Sequence, residues 1–277
     1  MERKSDATDT RPEAQAAANV TGVDAYAPAE VAERVESAGV VKASLPADKL
    51  LVLAILAGVF IGFGAALYTV AVSETGLGFG PTRLLGGLAF SLGLVLVIVA
   101  GAELFTGNAM IVMAWADRRV TTGALARNWV LSYIGNAIGA GALAVAVHLS
   151  GVLSSGPAHE TAIRIAEAKL ALPPLEAFMR GVLCNILVCL AVWLCFAARS
   201  VTDKILAIAF PITAFVALGF EHSVANLYLL PVGLLAGANG NLAGVLGNLI
   251  PVTLGNIVGG AGGVAAVYWV IYLRRIG

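Results

Sequence analysis

The chain has 277 residues, 59% of them apolar and only 12% charged, where soluble domains carry about 25% charged residues. Lys plus Arg and Asp plus Glu each total 17, a balance that offers no basic surface to nucleic acid and no acidic scaffold for docking. The solvent of most of this chain is lipid, and a bilayer is its first expected partner.

Residues 1–46 are polar, with Ala, Glu, Pro and Asp throughout. They are read as a cytoplasmic tail, because a segment so poor in apolar residues cannot build a core of its own. No apolar run follows the basic residues of the start, so no cleavable secretory signal is expected, and the first apolar segment serves as the insertion signal. Within the tail, residues 28 to 42 have helical spacing, with Val31, Val35 and Ala38 on one side. This predicts a short amphipathic helix on the membrane surface. Residues 47–277 form the transmembrane domain.

Apolar segments follow at about 48–72, 84–116, 129–150, 174–198, 205–231 and 248–273. Six spans return the chain to the side it started from. Arg118, Arg119 and Arg127 follow the second segment, Arg199 and Lys204 the fourth, and Arg274 and Arg275 the sixth. The positive-inside rule turns these loops and both termini to the cytoplasm. His148 and His159 fall at or near an outward loop and are read as solvated. Cys184, Cys189 and Cys195 share one apolar segment without metal-type pairing and are read as small hydrophobes.

The second segment is too long to be one straight span. Its 33 residues would make a helix of about 50 Å across a hydrocarbon core of about 30 Å. It contains Gly101, Glu103, Thr106, Gly107 and Asn108, which suit a break. The fifth segment repeats this with Gly219, Glu221, His222, Ser223 and Asn226. Gly101-Ala-Glu-Leu-Phe-Thr-Gly-Asn108 and Gly219-Phe-Glu-His-Ser-Val-Ala-Asn226 share Gly, Glu and Asn at identical offsets, 118 residues apart. Gly135-Asn136 with Gly139 in the third segment corresponds to Gly255-Asn256 with Gly259 in the sixth, 120 residues apart. Segments one to three therefore match four to six. Because three is odd, the second copy enters the membrane from the opposite side, an inverted repeat whose interrupted helices meet near the midplane.

On these motifs, together with Arg180-Gly-Val-Leu-Cys-Asn185, Val188-Cys-Leu-Ala191 and Leu249-Ile-Pro-Val-Thr-Leu-Gly-Asn256, the chain resembles the formate/nitrite transporter family over residues 28 to 275. The resemblance implies an all-α integral membrane fold: six transmembrane helices, aquaporin-like, with interrupted second and fifth helices. It also implies a homopentamer with one pore per protomer and a small monovalent anion, formate first and nitrite second, as the permeant. Hydrosulfide and other short weak-acid anions remain alternatives. A neutral-solute or water channel would share the architecture, but the paired Asn-Pro-Ala signature is missing.

His222 is the leading site residue. An ionisable group inside a span is costly and usually lines a polar path, and the resemblance sets it at the family's central pore histidine. An isolated carboxylate pays many kcal/mol to enter an apolar wall, so neutralisation by a proton, from His222 or from water that it orders, is the expected solution. Thr106 can donate and accept, and by the resemblance it matches the loop threonine that approaches the pore histidine. Asn185 either bonds across helices or stands beside the outer constriction, and Lys169 aligns with a lysine of the outer vestibule. Leu94, Leu104 and Phe90 align with the inner constriction and Phe215 with the outer one. Glu103 and Glu221, with Asn108 and Asn226, are read as anchors of the two helix breaks. No HExxH, paired-Cys set, phosphate-binding Gly loop or nucleophile elbow is present, so no enzyme, metal or cofactor is expected.

Overall fold

The computed structural model describes residues 24–274. Residues 1–23 of the tail, and Arg275 of the basic C-terminal end, lie outside the described residues. In chain order the helices are α1 (Pro28–Ala43), α2 (Ala47–Ala71), α3 (Phe79–Val95), α4 (Val112–Ala116), α5 (Thr122–Leu149), α6 (Gly156–Leu170), α7 (Pro174–Ala197), α8 (Val201–Leu218), α9 (Ser223–Leu235), α10 (Leu242–Ile257) and α11 (Val267–Tyr272). A wide turn over Leu96–Gly101 extends α3, a 3-10 helix over Gly107–Ile111 leads into α4, and a second wide turn over Val258–Ala266 joins α10 to α11. Among the described residues, six stretches are long and apolar enough to cross a membrane: α2, Phe79–Gly101, α5, α7, α8 and Leu242–Tyr272.

Local signals explain where the helices begin. Ser200 and Asp203 form a capping box at α8, which satisfies two otherwise orphaned amides. Pro174 occupies the first turn of α7, where its missing N–H costs nothing. Thr121 caps α5 by accepting from the Ala124 N–H. The segment expected at 84–116 is divided into Phe79–Gly101 and Gly107–Ala116, and that at 205–231 into α8 and α9. The sixth span starts at Leu242, ahead of its expected start at 248. Gly244 and Gly247 stay helical there because the bilayer interior offers no water to replace intrahelical bonds.

Two helices outside the spans differ from expectation. α6 forms where an outward loop was expected, and His159 within it bonds the Leu153 carbonyl at 2.8 Å. α1 does not lay its apolar side on lipid. Val31, Ala32, Val35 and Ala43 are buried against the 3-10 helix, α4 and α7, so protein surface takes up the face that would otherwise seek the bilayer.

The spans pair in a repeated way: α2 on α5, α7 on α10, and α3 on α8. At Gly139 an added Cβ would run into the Ile55 carbonyl, and at Gly259 into the Val182 carbonyl. Both glycines thus let two backbones touch, the device by which membrane helices pack where water supplies no driving force.

Candidate functional site

Both broken helices end in the same way. Gly101 and Gly219 are left-handed, with φ of 82° and 75°, a conformation open to glycine at little cost. The Ala102 N–H donates to the Val97 carbonyl and the Phe220 N–H to the Phe215 carbonyl, at 2.9 and 3.0 Å, the longer bond of a Schellman ending. The chain then runs extended. The Glu103 N–H donates to the Leu53 carbonyl and the Glu221 N–H to the Arg180 carbonyl, each at 3.2 Å.

Two asparagines hold these extended stretches. Asn136 Nδ2 donates to the Ala54 and Glu103 carbonyls at 2.7 and 3.0 Å, while its Oδ1 accepts from the Phe105 N–H at 2.9 Å. Asn256 Nδ2 donates to the Gly181 and Glu221 carbonyls at 2.8 and 3.0 Å, and its Oδ1 accepts from the Ser223 N–H at 2.9 Å. Both are fully buried. They supply the bonds that an interrupted helix forgoes, which inside a membrane must come from protein.

Each break also carries an ion pair. Lys42 Nζ donates to Glu103 Oε1 at 2.6 Å, Asn108 Nδ2 to Glu103 Oε2 at 2.8 Å and to Asn128 Oδ1 at 2.9 Å, and Asn128 Nδ2 to the Lys42 carbonyl at 3.0 Å. In the second half Lys169 Nζ donates to both oxygens of Glu221 at 2.9 Å. Asn226 Nδ2 donates to Glu221 Oε2 at 2.7 Å and Asn248 Oδ1 at 2.8 Å, and Asn248 Nδ2 to the Lys169 carbonyl at 2.9 Å. The closed circuit Lys–Glu–Asn–Asn–Lys occurs twice.

Lys42 went unnoticed in the sequence. The available signal was its separation from Lys169, 127 residues, the same spacing that relates Ala54 to Gly181 and Leu53 to Arg180. Lys169, expected at the outer vestibule, lines a cavity and is ion-paired with Glu221.

Two cavities approach the breaks from different directions, and no residue lines both. One, of about 490 Å³, is lined by Arg34, Lys42, Leu94, Glu103, Leu104 and Lys204, among others. The other, of about 400 Å³, is lined by Arg83, Phe90, Arg164, Lys169, Phe215 and His222, among others. Both walls mix basic and apolar side chains, with more cations than the single carboxylate, Glu103 or Glu221, that each also carries.

Phe90 and Phe215 meet edge to face at 5.6 Å between centroids. Phe90 therefore lies with Phe215 and not, as aligned, with Leu94 and Leu104. One helical turn separates Phe90 from Leu94, and its ring reaches across to α8, which packs against α3.

Between the cavities lies the pair His222 and Thr106, with Thr106 Oγ1 2.9 Å from His222 Nε2. Thr106 is fully buried and His222 is 3% exposed. His222 is also the N-cap of α9, its Nδ1 accepting the Ala225 N–H at 3.1 Å. An accepting Nδ1 carries no proton, so the network assigns the neutral Nε2–H tautomer, donating to Thr106 Oγ1. The threonine proton is then free to point elsewhere. Phe215 stacks near the ring at 6.0 Å. Asn185 Nδ2 donates to the Thr106 and Asn256 carbonyls at 3.2 and 2.6 Å, a bond across helices that joins the first break to the asparagine holding the second. Among the described residues, no three His, Cys, Asp or Glu side chains cluster as a metal site.

A bundle of six apolar spans, with two cavities closing on a buried polar pair, defines a multi-pass membrane transport protein. The sequence matches the formate/nitrite transporter family over residues 29–270, and the chain belongs to that family, one of transporters and channels. It is 41% identical over 274 residues to the formate channel FocA of Escherichia coli, covering 91% of this chain and 96% of that protein. It is also 41% identical to a probable formate transporter of Methanothermobacter thermautotrophicus, covering 90% and 97%. Among solved structures it resembles a pentameric formate channel with formate bound, with TM-score 0.76 and 41% identity over 82% of this chain and 98% of that one. It resembles an FNT family ion channel with TM-score 0.81 and 30% identity, over 87% and 98%.

Proposed function

We propose that this protein carries formate across the plasma membrane of a prokaryote, through a pore inside each protomer of a homopentamer, with both termini in the cytoplasm. The observation that carries this reading is the Thr106–His222 pair set between two cation-lined cavities. The relatives named as formate channels support formate as the permeant and the pentamer as the assembly. The basic loops at Arg118, Arg119, Arg127, Arg199 and Lys204 support the orientation.

The cavities gather the anion, and Leu94, Leu104, Phe90 and Phe215 admit it only without its hydration shell. An ionised carboxylate between apolar rings is too costly to pass, so a proton joins it at the constriction. In the capped tautomer His222 has no proton to spare. Nδ1 first takes one up from water and releases the Ala225 N–H. The imidazolium then passes its Nε2 proton to Thr106 Oγ1, and the threonine hydroxyl proton goes to the carboxylate oxygen. Formic acid forms, and the neutral ring is left protonated on Nδ1. Exchange with water returns it to the starting tautomer.

Uptake into liposomes of formate, nitrite and hydrosulfide under one proton gradient tests the permeant. Formate is expected to be fastest, and water or glycerol flux with none of the three would overturn the reading. His222→Asn is expected to cut formate flux by about a hundredfold or more and to flatten its pH dependence, the scale of lost general acid catalysis. Unchanged selectivity and pH profile would exclude the histidine from the path.

A further inference from the structure

The second wide turn has no counterpart in the first half of the chain. α5 continues as an unbroken α-helix through Asn136, Gly139 and Ala140 to Leu149. At the matching place, two residues after Asn256, the chain opens into the wide turn over Val258–Ala266, which contains Gly259. The helices that pack against them differ at the position that meets this turn. Where α2 has Gly58, whose absent side chain leaves room for the Asn136 carbonyl, α7 has Asn185, 127 residues on. At the equivalent place in the second half the Asn185 amide bonds the Asn256 carbonyl at 2.6 Å and the Thr106 carbonyl at 3.2 Å. Widened turns of this kind form where a side chain enters a helix's bonding ladder.

Gly260 faces that amide. A Cβ on Gly260 would collide first with Asn185 Nδ2, then come within 2.8 Å of Ala109 Cβ and 2.9 Å of Cys189 Sγ. These nearest atoms are all side-chain atoms, so neighbouring side chains, and not a neighbouring backbone, are what the absent Cβ makes room for. Glycine inside a helix is unfavourable relative to alanine, and here close approach is the gain. Cys189 Sγ also lies 3.5 Å from the Thr106 carbonyl.

We propose that Gly260 is a positioning residue for the anion path: the wide turn and its glycine seat the Asn185 amide, and the seated amide fixes the Thr106 peptide so that the hydroxyl meets His222 Nε2. Gly260 touches neither the permeant nor the histidine. It acts through Asn185, and the inference rests on the reading of Thr106 and His222 as the site of protonation.

The test is formate uptake by liposomes across a range of pH, with Gly262→Ala as the internal control, since a Cβ there meets nothing within 4 Å. Gly260→Ala is expected to lose at least about tenfold in flux, the scale of a small misplacement at a reacting group, and to shift the pH profile in the direction that Thr106→Ala shifts it. Gly262→Ala is expected to stay within about twofold of the parent. In an Asn185→Ala background, Gly260→Ala should cost markedly less than in the parent, because its nearest obstacle is gone and only Ala109 Cβ and Cys189 Sγ still crowd it.

Equal loss in both glycine variants would overturn the proposal. So would lost flux with an unmoved pH profile, or as large a loss on the Asn185→Ala background as in the parent. If Gly260→Ala fails to assemble, assembly of Gly260→Ala with Asn185→Ala supports the proposal and failure of both overturns it. A parent protein that carries no formate fails the functional reading instead. A parent that carries it and tolerates Gly260→Ala fails this inference alone.

Discussion

The break after Gly101 and the break after Gly219 share their Gly, Glu and Asn, and they differ in between, most consequentially at one position. The third residue after the glycine is Leu104 in the first and His222 in the second. Leucine has no acceptor, and the first helix resumes only at Gly107, as a 3-10 helix with no side-chain cap. Histidine caps its own helix, and α9 starts directly after it. This difference sets both where the second helix begins and where the buried imidazole stands. The shared parts supply the bonds of the breaks, and the unshared residues Thr106 and His222 form the buried hydroxyl–imidazole pair.

Breaking the two ion pairs tests the shared parts most severely. Removing one partner of a buried pair costs about 3–5 kcal/mol, because the other charge is stranded. Lys169→Met is expected to destabilise the detergent-solubilised protein more than Lys42→Met, since the Lys169 side chain is 15% exposed and the Lys42 side chain 31%. Adding Glu221→Gln should return part of the loss in the first case. Equal thermal midpoints for both lysine variants would show that the circuits do not differ in burial as described.

The asparagines come next. Asn136→Ala and Asn256→Ala each remove two donated bonds and one accepted bond, and each is expected to cost about 2–4 kcal/mol at about 1 kcal/mol or more per buried bond. The stabilities should fall together, while the pH dependence of flux should move more in Asn256→Ala, which also loosens the amide next to His222. A matched change in both profiles would remove the distinction between the halves.

The smallest effect concerns α1. Glu36 is buried, and burial, ahead of its bond to Arg119, holds its carboxyl above the usual 4.5, with Asp117 adding to the rise. Arg119 Nη1 reaches Glu36 Oε2 at 2.8 Å, while Oε1 has no partner. A carboxyl raised in the folded state binds its proton more tightly there than when unfolded. Docking of α1 is therefore strongest below pH 4.5 and weakens as pH rises through the raised value. Hydrogen exchange of α1 should follow this slope, with Glu36→Gln flattening it at a change of about 1 kcal/mol or less. A slope of opposite sign would reverse the assignment.

Much of the site was legible because the chemistry lies in a few polar residues inside apolar runs. Glu103, Asn108, Glu221 and Asn226 were found together since the bilayer makes each such residue expensive and the repeat shows them twice. Lys42 was missed because it lies before the first span, where lysine costs nothing and draws no notice. α6 was missed for a similar reason: its helix is mixed in polarity and too short to span, so hydropathy is silent about it. The Phe90 assignment failed on reach, since a large ring extends beyond the turn that carries it.

What the sequence determined by itself is the number of spans, the two interruptions and the pairing of the halves, all consequences of a solvent that cannot hydrogen-bond. What only the tertiary structure decided is which groups face each other: Thr106 and His222 lie 116 residues apart, and Asn185 meets both Thr106 and Asn256. Such contacts are set by how closely the helices approach, and that depends on glycines such as Gly139, Gly259 and Gly260, whose effect is visible only once the surface each one touches is known.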